Sequence, residues 1–249
     1  MKSGSTDVAY EHIRRRILNG VYGAGQSLQT EVLAAAIGVS RTPVRDALRR
    51  LESDGVVVIR PRQGAHVKRM ELPELRELCE LRLALETQTA GLAAQRRTDV
   101  DLQEMAAALA MMSRLTPEAN AGGAEGVGAA LGREDVRFHL AIMNAAKNEL
   151  IKKQIMRLQV INRVAWSPFG EEYQRQLSRA ERARYRKETL RAHRLVYQAI
   201  ARGDAVQAKR AMERHIQSLI DLVTRTLAGQ VTAPALRALT AEELAYLPV

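Results

Sequence analysis

The sequence predicts a mainly helical protein: a winged helix-turn-helix at the N-terminus, then an antiparallel bundle of about six or seven helices. Three observations carry that reading. Of the 249 residues 46% are hydrophobic and only 4% aromatic, with Ala and Leu dominant, which favours packed helices over a β-rich fold. Apolar residues recur at i, i+3, i+4 and i+7 through most of the chain, the spacing of one helix face. The exception is residues 55–68, where two short apolar runs flank Pro61-Arg62-Gln63-Gly64, as in a β-hairpin.

The elements follow in order. Asp7 is read as the cap of a first helix, Val8–Asn19, which the Gly20–Gly25 stretch breaks. Thr30 caps a short helix, Glu31–Ile37, and Gly38 supplies a residue able to turn with positive φ. Ser40 caps the next helix, with Pro43 in the first turn, where no intrahelical N–H is needed. Val44, Ala47, Leu48 and Leu51 form its buried stripe. Arg41, Arg45 and Arg49 recur every four residues on another face, beside Ser40 and Thr42. Guanidiniums and hydroxyls at a helix N-terminus suit phosphates and guanine edges in a major groove. The plainer alternative is a solvated basic face. Val56–Ile59 and Ala65–Lys68 then make a wing with Gln63-Gly64 at its basic tip. Helix, tight turn, basic helix and wing together are far more specific than any one of them. This domain takes residues 1–70.

Residues 71–228 read as the helical domain. Glu71–Gln95 is a long helix, and Thr98-Asp99 starts another, through about Leu115. Thr116–Gly132, with Pro117, Asn120 and five glycines, reads as a loop. Further helices are expected at Arg133–Ala146, Asn148–Trp166, Glu171–Arg179 (short), Arg182–Arg202 and, capped by Asp204, to Ala228. Residues 229–249 are a tail in which Thr240 starts a final turn.

The net charge is +10. Residues 1–70 hold 12 Lys and Arg against 6 Asp and Glu, so the basic excess gathers on the helix-turn-helix, the footprint of a polyanion partner. The single cysteine, Cys79, excludes an intrachain disulfide and suits a reducing cytosol. Met1–Asp7 does not read as a signal peptide, and no apolar run approaches the ~20 residues that span a bilayer. The expectation is a cytoplasmic protein with no membrane partner.

Of five histidines, three lie in the helical domain: His139, His193 and His215. Asp135 stands four residues before His139, so both project from one helix face. One carboxylate and three imidazoles suit a divalent ion: zinc first, nickel or manganese next. From spacing alone the alternative is three histidines that fill a core. A catalytic ion is also conceivable, in a metal-dependent hydrolase or lyase fused to a DNA-binding module, but no HExxH and no GxSxG occurs.

The stretch Leu28-x-x-Glu31-x-Leu33-Ala34-x-x-Ile37-Gly38-Val39-Ser40-Arg41-Thr42-Pro43-Val44-Arg45-Asp46-Ala47-Leu48-x-x-Leu51 resembles the winged helix-turn-helix of the GntR transcription regulators. Residues Glu80-Leu81-Arg82-x-x-Leu85-Glu86, Asp135-x-x-Phe138-His139, the run from His193 through Ala199-Ile200 to Gly203-Asp204, and Ala208-x-x-x-Met212-x-x-His215 resemble the effector (FCD) domain of their FadR-like branch, in its VanR-type form. The resemblance covers about residues 7–227. It implies a homodimeric, metabolite-responsive repressor of a palindromic double-stranded DNA operator, and not an enzyme. It implies Ser40, Arg41, Thr42, Arg45, Arg49, Gln63 and Gly64 as DNA contacts, and Asp135, His139, His193 and His215 as ligands of a non-catalytic divalent metal. It further implies a small carboxylate effector on that metal, paired with Arg82 and with Asn162 or Arg163; for Arg82 a structural ion pair with Glu86 is the equal alternative. Glu31 departs from the family, where many members carry an arginine that helps to read DNA.

Overall fold

The computed structural model describes residues 4–69, 72–122, 126–159, 161 and 178–228. They form two compact units. One holds the described residues up to Leu75 together with 156–159 and 161, and the other those of 76–155 and 178–228.

In the first unit α1 (Ser5–Leu18), α2 (Thr30–Ile37) and α3 (Arg41–Ser53) enclose a small core with a three-stranded antiparallel sheet, β1 (Ser27–Leu28), β2 (Val57–Arg60) and β3 (Gly64–Val67), in the order β1-β3-β2. Helix α1 begins earlier than expected, because Asp7 does not cap it. Asp7 sits in the first turn and its Oδ2 accepts from the N–H of the N-cap residue, Gly4, at 3.3 Å. Gln29, not Thr30, is the N-cap of α2. Gly38 ends α2 in the left-handed region at φ 78°, and Ser40 is the N-cap of α3, so the tight turn forms where expected. Val44, Ala47, Leu48 and Leu51 are buried on α3, together with Tyr10, Ile13 and Ile17 of α1 and Val57 and Val67 of the wing. Each fully buried Val, Ile or Leu contributes about 1.5–3 kcal/mol, so α3 is held by one face and leaves its arginines outside. Strand β1 is unexpected. At two residues it is too short for an alternating pattern, and it exists only because Ser27 and Leu28 pair with His66 and Ala65.

The second unit is built from α4 (Leu72–Arg96), α5 (Asp99–Asn120), α6 (Val127–Ala145), α7 (residues 149–159), α8 (Arg179–Ala201) and α9 (Ala205–Ala228). The first turn of α4 and the end of α7 belong to the first unit. Six helices among the described residues agree with the expected bundle. Its core joins Ala90, Ala93 and Ala94 of α4 to Met105 and Met112 of α5, Phe138 and Ile142 of α6, Val196 and Ile200 of α8, and Met212 and Ile216 of α9. The alanines let the helices approach closely around the few large side chains.

The expected loop Thr116–Gly132 is mostly helix, and this is a correction. Helix α5 continues through Pro117 to Asn120, and α6 starts at Val127. Leu115 and Thr116 are buried. The last α5 carbonyls are met by arginines of α8: Arg179 Nε donates to Asn120 O at 2.9 Å, and Arg186 Nη1 to Ala119 O at 3.3 Å. Those donors lie some sixty residues away in the sequence, so local propensity does not show them. The expected short helix at 171–179 and the tail 229–249 fall almost wholly outside the described residues. So do Asn162, Arg163 and residues 70–71. Among the described residues no helix is long and apolar enough to cross a membrane.

Candidate functional site

Three helices bring the histidines together. Helix α6 carries His139 on the turn after Asp135, α8 carries His193, and α9 carries His215. Phe138, fully buried beside His139, packs its ring 4.8 Å from that of His193. His193 Nε2 lies 3.1 Å from His215 Nε2, which lies 3.3 Å from His139 Nε2. Asp135 Oδ1 lies 3.6 Å from His193 Nε2. The three histidines therefore form one cluster, with a ligand atom from each within 4.8 Å of the others, and Asp135 stands at its edge beside His193.

The electrostatics favour neutral imidazoles. Burial, then the neighbouring His215 and His139, pushes His193 well below the usual histidine value. Burial, then His139 and Arg82, pushes His215 down to about 3. His193 has no exposed surface, and among the described residues its Nδ1 has no hydrogen-bond partner.

This donor set fits a metal ion. A single Nε2 carries either a proton or a lone pair, so His215 Nε2 cannot donate to one neighbour and accept from the other. An electrophile between the three nitrogens satisfies all of them at once. Nitrogens bound tetrahedrally to one zinc at about 2.0–2.1 Å stand roughly 3.3–3.4 Å apart. The His139–His215 separation of 3.3 Å matches this, the His193–His215 separation of 3.1 Å is slightly shorter, and one ligand atom from each of the three histidines lies within 4.8 Å of the others.

On α4, Arg82 and Glu86 form a buried ion pair, Nε to Oε1 at 2.9 Å, with side chains 9% and 4% exposed. The other carboxylate oxygen, Oε2, faces His139 Nδ1 at 3.6 Å. Arg82 is thus held in the structural ion pair with Glu86, and its charge bears on His215. Glu86 itself is a residue that the sequence left in the background. Its signal was the i, i+4 spacing from Arg82 on an inward face.

In the first unit Ser40, Arg41, Thr42, Arg45 and Arg49 are all exposed on α3, and Gln63 and Gly64 are exposed at the wing tip. Arg62, at φ 65°, and Gly64, at φ 82°, shape that turn. His66 Nε2 lies 3.0 Å from Gln63 O and braces it. Glu31 Oε1 lies 3.6 Å from Arg41 Nη1, and Asp46 Oδ1 lies 3.8 Å from Arg49 Nη1. A network missed from the sequence fixes α3 against α1. Tyr10 OH donates to Asp54 Oδ2 at 2.7 Å, and Arg50 lies over the Tyr10 ring while donating to Asp7 Oδ1 at 2.7 Å.

Comparison with known proteins places these features. Residues 5–67 match the family of bacterial regulatory proteins, gntR family, and residues 77–218 match the FCD domain. The HTH-type transcriptional regulator LutR of Bacillus subtilis is 30% identical over 231 residues, covering 84% of this chain and 96% of that protein. The Uxu operon transcriptional regulator of Escherichia coli is 28% identical over 222 residues, covering 83% and 82%. Among solved structures, Escherichia coli McbR/YncC shares the fold at a TM-score of 0.65 and 22% identity, covering 90% of this chain and 99% of that one. LutR and the Uxu operon regulator are transcriptional regulators, so the comparisons do not favour the enzyme reading. The chain belongs to the GntR family of bacterial transcription regulators, with a DNA-binding winged helix-turn-helix and an FCD effector domain.

Proposed function

We propose that this regulator is a homodimeric repressor released from a palindromic operator by a small carboxylate bound at a divalent metal. The convergence of His139, His193 and His215, with Asp135 beside His193, carries the reading. Zinc is the first candidate, nickel and manganese the next. The imidazoles serve as neutral ligands, and Asp135 adds one negative charge. Glu86 and Arg82 cancel each other, so a divalent ion leaves the centre with one net positive charge. That balance favours an anion at the metal's remaining positions, with Arg82 as its candidate partner in charge-assisted hydrogen bonds. Asn162 and Arg163 are further candidates for that anion. On the DNA side Arg41, Arg45 and Arg49, with Ser40, Thr42, Gln63 and Gly64, are the contacts. Two such units about a two-fold axis suit a palindrome. Acting on DNA with a single unpaired thiol, the protein works in the reducing cytosol.

Thermal melts of the purified protein against a panel of small carboxylates, with zinc and after chelation, test this. A ligand bound only by the native state must stabilise it. A zinc-dependent upshift with one acid supports the reading and names the acid class. No response to zinc, to chelation or to any acid contradicts it.

A further inference from the structure

We propose that Glu86 is a positioning residue of the histidine centre, holding His139 as the tautomer that presents Nε2 to the metal. The inference rests on the metal reading above and goes beyond it by assigning a role to a residue outside the ligand set.

The carboxylate reaches the ring from a different helix, α4, while His139 stands on α6. Its Oε2 faces Nδ1, the ring nitrogen turned away from His215. At 3.6 Å this is a close approach and not yet a hydrogen bond. A carboxylate there stabilises a proton on Nδ1, which leaves the Nε2 lone pair for the ion. Such carboxylate partners orient metal-bound imidazoles and raise their basicity. Arg82 keeps the group aimed: its Nε holds Oε1 at 2.9 Å, so Oε2 remains for the histidine. The three histidines differ in this respect, since His193 Nδ1 has no hydrogen-bond partner among the described residues. The centre thus has one imidazole anchored by a charge and one left bare.

The test uses the full-length protein, stripped of metal and titrated with zinc against a chromophoric chelator. Cobalt(II) spectra of the same samples serve as a second readout. Glu86→Gln keeps the shape and removes the charge. The expected result is a loss of roughly 10–100-fold in zinc affinity, displaced cobalt bands, and partial recovery of both in Glu86→Asp. A folded Glu86→Gln protein with wild-type zinc affinity and wild-type cobalt bands overturns the proposal and leaves the metal reading intact. If Glu86→Gln does not fold, Glu86→Asp replaces it. Its carboxylate is drawn back by one methylene, so unchanged affinity and spectrum overturn the proposal equally. A wild-type chain that takes up neither ion overturns the metal reading as well.

Discussion

His193 Nε2 and His215 Nε2 lie 3.1 Å apart, and burial keeps both rings neutral, each with a single N–H. Two neutral imidazoles at that distance are either a hydrogen-bonded pair or two ligands of one ion. The third nitrogen, His139 Nε2 at 3.3 Å from His215, favours the ion. His193→Ala is therefore expected to abolish stoichiometric zinc binding. Zinc at 1,000 times its dissociation constant stabilises the native state by about 4.1 kcal/mol. Calorimetric melts should show that upshift in the wild type and none in the variant. An equal upshift in both would remove His193 from the ligand set.

On the reading helix, Arg45 is exposed between Arg41 and Arg49, and among the described residues it has no ion-pair partner. Arg45→Ala should cost about 1–3 kcal/mol of operator binding if the side chain reads a base. Fluorescence anisotropy with a duplex enriched by the protein from a random pool measures this. Unchanged affinity takes Arg45 out of the contact set.

The Glu31–Arg41 pair stands at the same surface, with side chains 66% and 64% exposed. An exposed pair like this adds about 0–1 kcal/mol to stability, so its consequence lies in binding. Glu31 repels phosphates and competes with them for Arg41. Glu31→Gln should tighten binding to a non-specific duplex and steepen the salt dependence by about one phosphate contact. Identical salt slopes in the two proteins would show that Glu31 stays clear of the DNA.

Asp101 sits in the first turn of α5 in the second unit. It accepts from Thr98 N–H at 2.8 Å and from Lys147 Nζ at 2.9 Å. Burial alone would raise its pKa, but the Lys147 and Thr98 hydrogen bonds outweigh burial and hold it below the ordinary 3.8. A depressed carboxyl contributes stability that is present above its unfolded pKa and lost as pH falls through the folded value. Asp101→Asn should therefore cost about 1 kcal/mol near neutral pH, and the gap from wild type should close below pH 3.8. Denaturant melts at pH 7 and pH 3 check it; a gap independent of pH contradicts the charge argument.

Much of this molecule was legible in the sequence. The helix-turn-helix could be read because its signals are local: Gly38 for the turn, Ser40 for the cap, and Val44, Ala47, Leu48 and Leu51 for the face. Asp135 and His139 could be grouped from their spacing on one helix. That His193 and His215 join them is a fact about three helices crossing, which spacing does not contain; there the family resemblance supplied the expectation. What stayed hidden depends on distant partners. Strand β1 needs β3, the end of α5 needs Arg179 and Arg186, and the orientation of Glu86 needs His139. Pro117 and five glycines pointed to a loop because their local cost is plain, while the contacts that offset it lie on another helix.

The central claim is that occupancy of the histidine centre governs DNA binding. The direct measurement is the affinity of the zinc-loaded protein for its enriched duplex, with and without the acid that raises its melting temperature. An effector must bind the free and the DNA-bound protein differently to act at all. At least a tenfold loss of affinity with the acid, about 1.4 kcal/mol, absent in His193→Ala, is the result expected. Equal affinity with and without the acid would contradict the account.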